Sequence, residues 1–411
     1  MRSGEAPTGA ASPAPQSPAP GFVRLCVVLL VLLGFSLGCT EFVVIGVEPQ
    51  IAEAFDVSLA GVGQTISCFA VAYALCTPVL SLCTGRFRRY QLLVGYSVVF
   101  CLANVLQVLA PNFLVLLASR VLIGSVSGAL LAVGLTYIPE LVGFRRTSMI
   151  LSFVYAAFSV AMVVITSVGK LVADLVDWHL APVGTLVLAI VVCAALVVVM
   201  PREGATDEVA TAREQMVLLR EPNVPAGMAI FVFGVGSVYV FYGYVTPYVE
   251  QVLGLGTAGA SATLMAYGVV TLASNLLSGW LDARFGVRAL LVTFPIQALM
   301  LLALFLIGGA TAPALAAIMA VGLTMYLASV PCVSMFMRTA RDRCPKALTL
   351  ASSLEPVAFN VGIAFGTAMG GLVVSGPGLS HVGLVGAGFS LVAWALAAWV
   401  VRLAAKEHVA R

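Results

Sequence analysis

The sequence predicts an all-α membrane protein: twelve transmembrane helices in two six-helix bundles related by pseudo-symmetry. Three observations lead there. Only 9% of the 411 residues are charged and 61% are hydrophobic, against about 25% charged in a soluble domain, and mean hydropathy is +1.07. Apolar runs of the roughly 20 residues needed to cross a bilayer recur along nearly the whole chain. Short signatures also recur at one fixed spacing. In hydrocarbon every backbone amide must be satisfied internally, so apolar runs of this length are helices.

The elements follow in order. Residues 1–21, MRSGEAPTGAASPAPQSPAPG, are a Pro/Ala/Ser tail without a packing pattern and are expected to be disordered. Span 1, over 23–47, is too long for a signal-peptide core and no small-residue cleavage site follows it, so it is expected to be retained. Spans 2 to 6 cover 60–83, 91–110, 114–138, 148–173 and 181–200, completing a first bundle over 22–200. The most charged stretch, PREGATDEVATAREQMVLLREPN, falls in a linker over 201–225. Spans 7 to 12 cover 226–250, 260–281, 289–309, 314–337, 348–374 and 382–402, giving a second bundle over 226–402 and a short tail over 403–411.

Orientation follows from the basic residues. An even number of spans puts both termini on one side, and 19 of the 21 Lys and Arg fall in the tails and loops of that side. Arg120 and Lys170 are the remainder, and the opposite loops carry none. By the positive-inside rule the termini and the central linker are cytoplasmic. The net charge of +3 is therefore topological and points to no nucleic-acid partner. The nine Cys fall in spans or cytoplasmic loops without CxxC spacing and read as small hydrophobes, not as disulfides or metal ligands.

Against this apolar background the ionisable residues stand out. Glu41 and Glu48 lie two helical turns apart in span 1, nearly on one face. An ionised group there costs about 2.5–3.5 kcal/mol or more. A buried carboxyl alternately open to each side is a proton carrier; a structural hydrogen bond is the alternative for Glu41, and a solvated rim position for Glu48. Arg120, near the outer end of span 4, stays charged and needs a carboxylate or carbonyl partner; Glu41 and Glu48 are the acids at comparable depth, Glu41 is the expected electrostatic partner, and snorkelling to the outer interface is the alternative. Lys170 has Asp174 four residues on, which predicts a local helix pair. Tyr239, Tyr242 and Thr246 fall at i, i+3, i+7 on span 7, one stripe suited to an amphipathic or aromatic solute. Tyr244 and Tyr248 are explained by helix packing or an interface belt. Gly124 with Gly128, and Gly362, Gly366 and Gly370, let their helices approach neighbours closely.

Enzyme readings find little. GFSLG (34–38) fits G-x-S-x-G but sits inside a span, and His179, His381 and His408 are too far away to serve Ser36 as base. GLGTAG (254–259) follows no strand. No phosphate-binding G-x-x-x-x-G-K-[ST] occurs. No cofactor and no metal site is expected.

RFRRYQLL (86–93) and RFGVRALL (284–291) correspond at an offset of 198. The same offset places Val47-Glu48-Pro49 over Val245-Thr246-Pro247, and Glu41 over Tyr239. This is a duplicated six-span unit, an architecture of transporters with the substrate site between the halves.

TEF in span 1, ASRVLIGSVSGA in span 4, FYGYVTPY in span 7, GWLDARFGVR after span 8 and LASSLEPVAFNVGIAFGTAMGG in span 11 carry a resemblance. Over 22 to about 402 the chain resembles the major facilitator superfamily, in its twelve-span drug:proton antiporter branch that includes sugar-efflux permeases. The resemblance implies that Arg120 participates in coupling and that Asn360 is the span 11 asparagine of a substrate site. Glu355 stands where the family commonly has a neutral amide, with a cytoplasmic rim role or a substrate role open to it. Glu48 stands where the family usually has an apolar residue. Arg86, Asp282, Arg284 and Arg288 would form cytoplasmic charge latches, topogenic charge being the alternative. The chain departs from the family in three places: CTGRFRRY lacks the acid before the arginine, Asp282 sits one place early, and Ser167 replaces the proline expected in span 5.

The expectation is a monomeric secondary transporter of the cell (inner or plasma) membrane. It exports a small organic solute in exchange for protons, with the bilayer as its solvent. A proton symporter or facilitator of the same fold, or a non-transporting membrane sensor, remains the alternative. The topology has a direct check. Reporter fusions after Thr147, Pro222 and Arg411 are expected to report cytoplasm and one near His179 the outside; the reverse pattern overturns the orientation.

Overall fold

The computed structural model describes residues 20–83, 87–202, 216–344 and 348–409. The expectations for the tail up to residue 19, for Arg86, for linker residues 203–215 and for the last two residues lie outside the described residues. Among the described residues there is no strand, and eleven helical runs are long and apolar enough to cross a membrane. One of them, Thr257–Ile307, spans 51 residues and folds as two helices. Gly286 adopts φ 55° at the junction, a left-handed conformation that a side chain resists.

Twelve spanning helices result. The first half holds α1 (Pro20–Gly46), α2 (Leu59–Cys83), α3 (Arg89–Val108), α4 (Phe113–Thr136), α5 (Phe144–Leu175) and α6 (Leu180–Val199). The second holds α7 (Asn223–Tyr242), α8 (Thr257–Phe285), α9 (Leu290–Ile307), α10 in two pieces (Thr311–Thr324 and Ser329–Arg343), α11 (Leu348–Ser375) and α12 (Val382–Val409). Pro20, at the start of α1, and Val409, at the end of α12, lie at one end of the bundle, called the terminal end below; the other is the distal end.

The packing repeats with the sequence. α1 lies on α5, α2 on α4 and α3 on α6; in the second half α7 lies on α11, α8 on α10 and α9 on α12. The halves meet through α2 against α11 and α5 against α8, pairs that the repeat exchanges. Burial follows position: 72% of the most apolar window of α7 is buried, against 33% for α6 and for the run Leu379–Leu403 that contains α12. α7 is therefore central, while α6 and α12 turn most of their surface outward, where lipid is the solvent.

Glycines set the closest approaches, because hydrocarbon offers no hydrophobic drive between helices and contact must come from tight packing. A Cβ at Gly46 of α1 would stand 2.7 Å from the Thr166 carbonyl oxygen of α5. Gly124 and Gly128 of α4 face Phe69 and Thr77 of α2, and Gly362, Gly366 and Gly370 of α11 face Val235, Gly236 and Val240 of α7. All five are packing positions, as their spacing predicts.

Three spans do not run straight through. α1 stops at Gly46, Val47 takes φ −122° and ψ 19°, and a short helix over Glu48–Ala54 continues. α7 stops at Tyr242, Tyr244 takes φ −126° and ψ 22°, and Val245–Pro247 restarts the chain. The same break thus recurs in both halves, at Pro49 and its repeat partner Pro247. α10 is interrupted over residues 325–328.

Replacing Gly124 by Val drives a side chain into the Phe69 carbonyl. A loss of about 1–3 kcal/mol is expected, read as a lower Tm in detergent, whereas Gly95→Ala, with open space around it, is expected to leave Tm unchanged or slightly raised.

Candidate functional site

The breaks create the site. Proline lacks an N–H, so it leaves the carbonyl four residues back without its helical donor. Pro49 deprives Ile45, and the Ile45 carbonyl instead accepts a hydrogen bond from Thr246 Oγ1 in the other half, at 2.6 Å. Pro331 deprives Leu327, whose carbonyl accepts from Ser278 Oγ of α8 at 3.2 Å. Ser274 Oγ accepts the Tyr326 amide at 3.0 Å in the same interruption. In this setting a side chain must replace each lost donor, so the caps hold the breaks in fixed places.

Arg120 projects from α4 and is fully buried. Its Nη1 donates to the Thr40 carbonyl at 2.7 Å and its Nη2 to the Glu41 carbonyl at 2.9 Å, while the guanidinium lies 4.5 Å from the centroid of the Phe69 ring. Nε has no partner among the described residues. The sequence left carboxylate and carbonyl partners open, and the structure selects the carbonyls. A planar fork matches two consecutive carbonyls on one helix face, and no ion pair joins Arg120 to a carboxylate among the described residues.

The Glu41 carboxyl consequently has no hydrogen-bond or ion-pair partner among the described residues. It is 7% exposed, with Tyr73, Tyr239 and Tyr326 inside its electrostatic reach. Those last two rings belong to a cluster. Tyr239 meets Tyr242 edge-on at 5.5 Å and Phe359 edge-on at 6.0 Å. Tyr242 stacks on Tyr267 at 4.8 Å, and Tyr326 lies parallel to Phe359 at 5.7 Å. Five rings from α7, α8, α10 and α11 meet in the bundle centre. The Tyr239 hydroxyl, fully buried, has no hydrogen-bond partner among the described residues.

Several expected site residues fall elsewhere. Thr246 leaves the Tyr239–Tyr242 stripe, because α7 ends at Tyr242 and the break turns Thr246 toward Ile45. Glu48 is fully buried at the distal seam, not at a solvated rim, and neither carboxyl oxygen has a partner among the described residues. Asn360 donates to the Pro356 carbonyl at 3.1 Å and keeps its own oxygen unpartnered among the described residues. Glu355 is partly buried on the terminal side of α11, within electrostatic reach of Tyr73, Tyr155 and Tyr326. Tyr244 and Tyr248 bond the carbonyls of Thr367 and Leu304 at 3.0 and 3.2 Å, as packing residues.

The latch between Asp282 and Arg284 is not formed. Two residues apart on one helix, their side chains diverge. Asp282 accepts instead from Ser334 Oγ of α10 at 2.6 Å, and Arg284 lies over the rings of Trp280 and Phe285. Arg288 is exposed. In the first half the buried Arg89 bonds the Thr136 carbonyl at 3.1 Å and pairs with Glu140. Thr136 and Ser334 are repeat partners, so each half ties its second loop to the end of its fourth helix. Lys170 pairs with Asp174, as its spacing predicts, and also with Glu250 of the other half at 2.6 Å.

Sequence reading missed Tyr267, Tyr326 and Phe359. Tyr267, Ser274 and Ser278 lie at i, i+7 and i+11, a polar stripe visible on α8, and Pro331 announced the α10 break. Phe359 gave no signal beyond an apolar helix position.

The sequence model described as Major Facilitator Superfamily matches residues 30–348. The chain belongs to the major facilitator superfamily. The uncharacterised MFS-type transporter YtbD of Bacillus subtilis is 26% identical over 371 residues, covering 90% of this chain and 93% of the relative. The inner membrane transport protein YdhP of Escherichia coli is 28% identical over 361 residues, covering 87% and 91%. A bacterial homologue of the human lysosomal transporter Spinster, solved inward-facing and unoccupied, superimposes with a TM-score of 0.75 at 15% identity over 93% of this chain and 98% of that one. A D-xylose–proton symporter does so with 0.71 at 16% identity over 92% and 97%. The protein is therefore a multi-pass transporter of the cell membrane, of unspecified substrate, and not an enzyme.

The bidentate hold on α1 has a measurable consequence. Arg120→Lys keeps the charge but spans only one carbonyl. It is expected to lose about 1.5–3 kcal/mol, placing its thermal midpoint in detergent between those of the native chain and Arg120→Ala.

Proposed function

We propose that the chain exports a small organic solute, a drug, sugar or metabolite, by proton-coupled alternating access. The observation that carries this reading is the Glu41 carboxyl. It is buried at the bundle centre, accepts no hydrogen bond from a described residue, and faces the aromatic cluster across the halves. A carboxyl in that position takes up a proton when open to one side and releases it when open to the other. Arg120 fixes the helix that carries it and supplies the nearby positive charge. Glu48, buried in the distal seam, is the second member of the coupling set.

Tyr239 and Tyr242, with Tyr267, Tyr326 and Phe359, offer ring faces to the solute, and Asn360 and Glu355 offer polar contacts. Rings and carboxyls together favour a neutral or cationic amphipathic solute over a small dicarboxylate. Both termini and the 201–225 linker face the cytoplasm, and the halves 22–200 and 226–402 rock against each other as a monomer. Asp282 with Ser334, and the basic residues Arg86, Arg284 and Arg288, bias which end is open. A proton symporter or facilitator is the second reading, favoured by the structural likeness to a D-xylose–proton symporter.

Proteoliposomes under an imposed pH gradient separate these readings. Glu41→Gln keeps size and hydrogen bonding but cannot titrate, so gradient-driven accumulation is expected to fail while solute binding survives. Full active transport by that variant rules out the carrier role. Solute moving down the proton gradient, with the protons, selects symport.

A further inference from the structure

Among the described residues Lys and Arg form four ion pairs with carboxylates, and one of them crosses between the halves: Lys170 of α5 with Glu250 of the Tyr248–Val252 turn. It lies at the distal end, where Thr246 caps Ile45 across the same seam. The Lys170 side chain is only 2% exposed, against 13% for Asp174 and 22% for Glu250. Asp174 also accepts a hydrogen bond from Gln50 of the Glu48–Ala54 helix. One buried cation is therefore shared by two carboxylates, one on its own helix and one on the opposite half.

We propose that Lys170, Asp174 and Glu250 are the distal gate of the transporter, opened by transfer of Lys170 from a shared to a sole partner. Stripping a buried ion of its only partner is costly, because the uncompensated charge stays in low dielectric. Here separation of the halves removes Glu250 alone. Asp174 moves with Lys170, one helical turn away, so the cation is never stranded. Glu250, the most exposed member, is released toward water. The pair thus closes the seam firmly and still opens without a large barrier.

The two carboxylates act with opposite sign. Removing the charge of Glu250 deletes the crossing pair and loosens the seam. Removing the charge of Asp174 leaves all of the Lys170 attraction to Glu250 and removes the partner that stays with it on opening, so the seam tightens. Asparagine still accepts from Gln50, which isolates the charge effect.

The gate rests on the alternating-access reading, so its test uses neither substrate nor proton gradient. Amide hydrogen exchange is followed by mass spectrometry on the purified full chain in lipid nanodiscs, over 46–58 and 243–256. Glu250→Gln is expected to speed exchange there on the order of tenfold, the scale of a typical coupling between sites, and Asp174→Asn to slow it. Exchange in α9 and α12, away from the seam, is expected to stay at the native rate. Native-like exchange in both variants, a shift of both in the same direction, or an equal rise through α9 and α12 overturns the proposal. A failed export assay leaves this result standing, and a failed exchange test leaves the transport reading standing.

Discussion

A carbonyl freed from its helix inside hydrocarbon has no water to accept from, and leaving it bare costs several kcal/mol. The centre of this transporter is organised around that constraint. Pro49 and Pro331 each strip a donor from the turn before them, and Thr246 and Ser278 supply the replacement hydrogen bonds. The first of these caps comes from the opposite half. A local backbone requirement in α1 is thereby met by an interhalf contact, and moving the halves apart exposes a carbonyl that must then find water. Closure at the distal end is written into the peptide chain before any charge is considered.

Charge placement obeys the same rule. Arg120 meets backbone carbonyls and a ring face, not a carboxylate. An Arg120–Glu41 ion pair would satisfy both groups and hold Glu41 ionised. With the guanidinium engaged by the Thr40 and Glu41 main-chain oxygens, the Glu41 carboxyl is left without an ion pair among the described residues. Lys170 shows the contrasting solution, a buried cation whose partners are both carboxylates. The difference between the two cations is geometric. The Arg fork spans adjacent carbonyls, whereas a compact ammonium on a flexible stem reaches whichever acids lie nearby.

The helix count, the division into halves and the packing glycines were legible in sequence because they depend on apolar run length and periodicity, which lipid enforces uniformly. Glu41, Arg120 and the Tyr239–Tyr242 pair were legible because a polar group in an apolar run is conspicuous. The partners were not. Whether Arg120 bonds the side chain or the main chain of residue 41 depends on how α4 leans on α1, set by Gly124 and Gly128 against α2, which lie 83 and 87 residues from Glu41 in the chain. Glu250 as partner of Lys170 depended on two breaks and a turn between them. Thr246 misled because i, i+7 spacing assumes an uninterrupted helix, and Pro247 ends that assumption three residues before its own position. Pro331 carried the corresponding warning for Tyr326, and the signal lay in the chemistry of the carbonyl it frees.

The repeat sharpens what the two halves contribute. At an offset of 198 the breaks at Pro49 and Pro247 coincide while that over 325–328 falls on unbroken helix in the first half, and the side chains diverge: Glu41 lies over Tyr239, Arg120 over Ile318, Gly128 over Tyr326 and Ala161 over Phe359. Phe69 and Tyr267 keep a ring at corresponding places, but Phe69 lies under the Arg120 guanidinium while Tyr267 stacks on Tyr242. At these four positions the first half carries a charged or small residue where the second carries a ring or an apolar side chain. A symmetric distribution would place equivalent charges on both sides of the cavity, and their repulsion would oppose closure at either end. At the bundle centre the first half thus contributes Glu41 and Arg120, and the second contributes most of the rings. On the proton-coupled reading proposed above, coupling between proton and solute would be carried across the bundle centre by electrostatics and would need no contact between their sites.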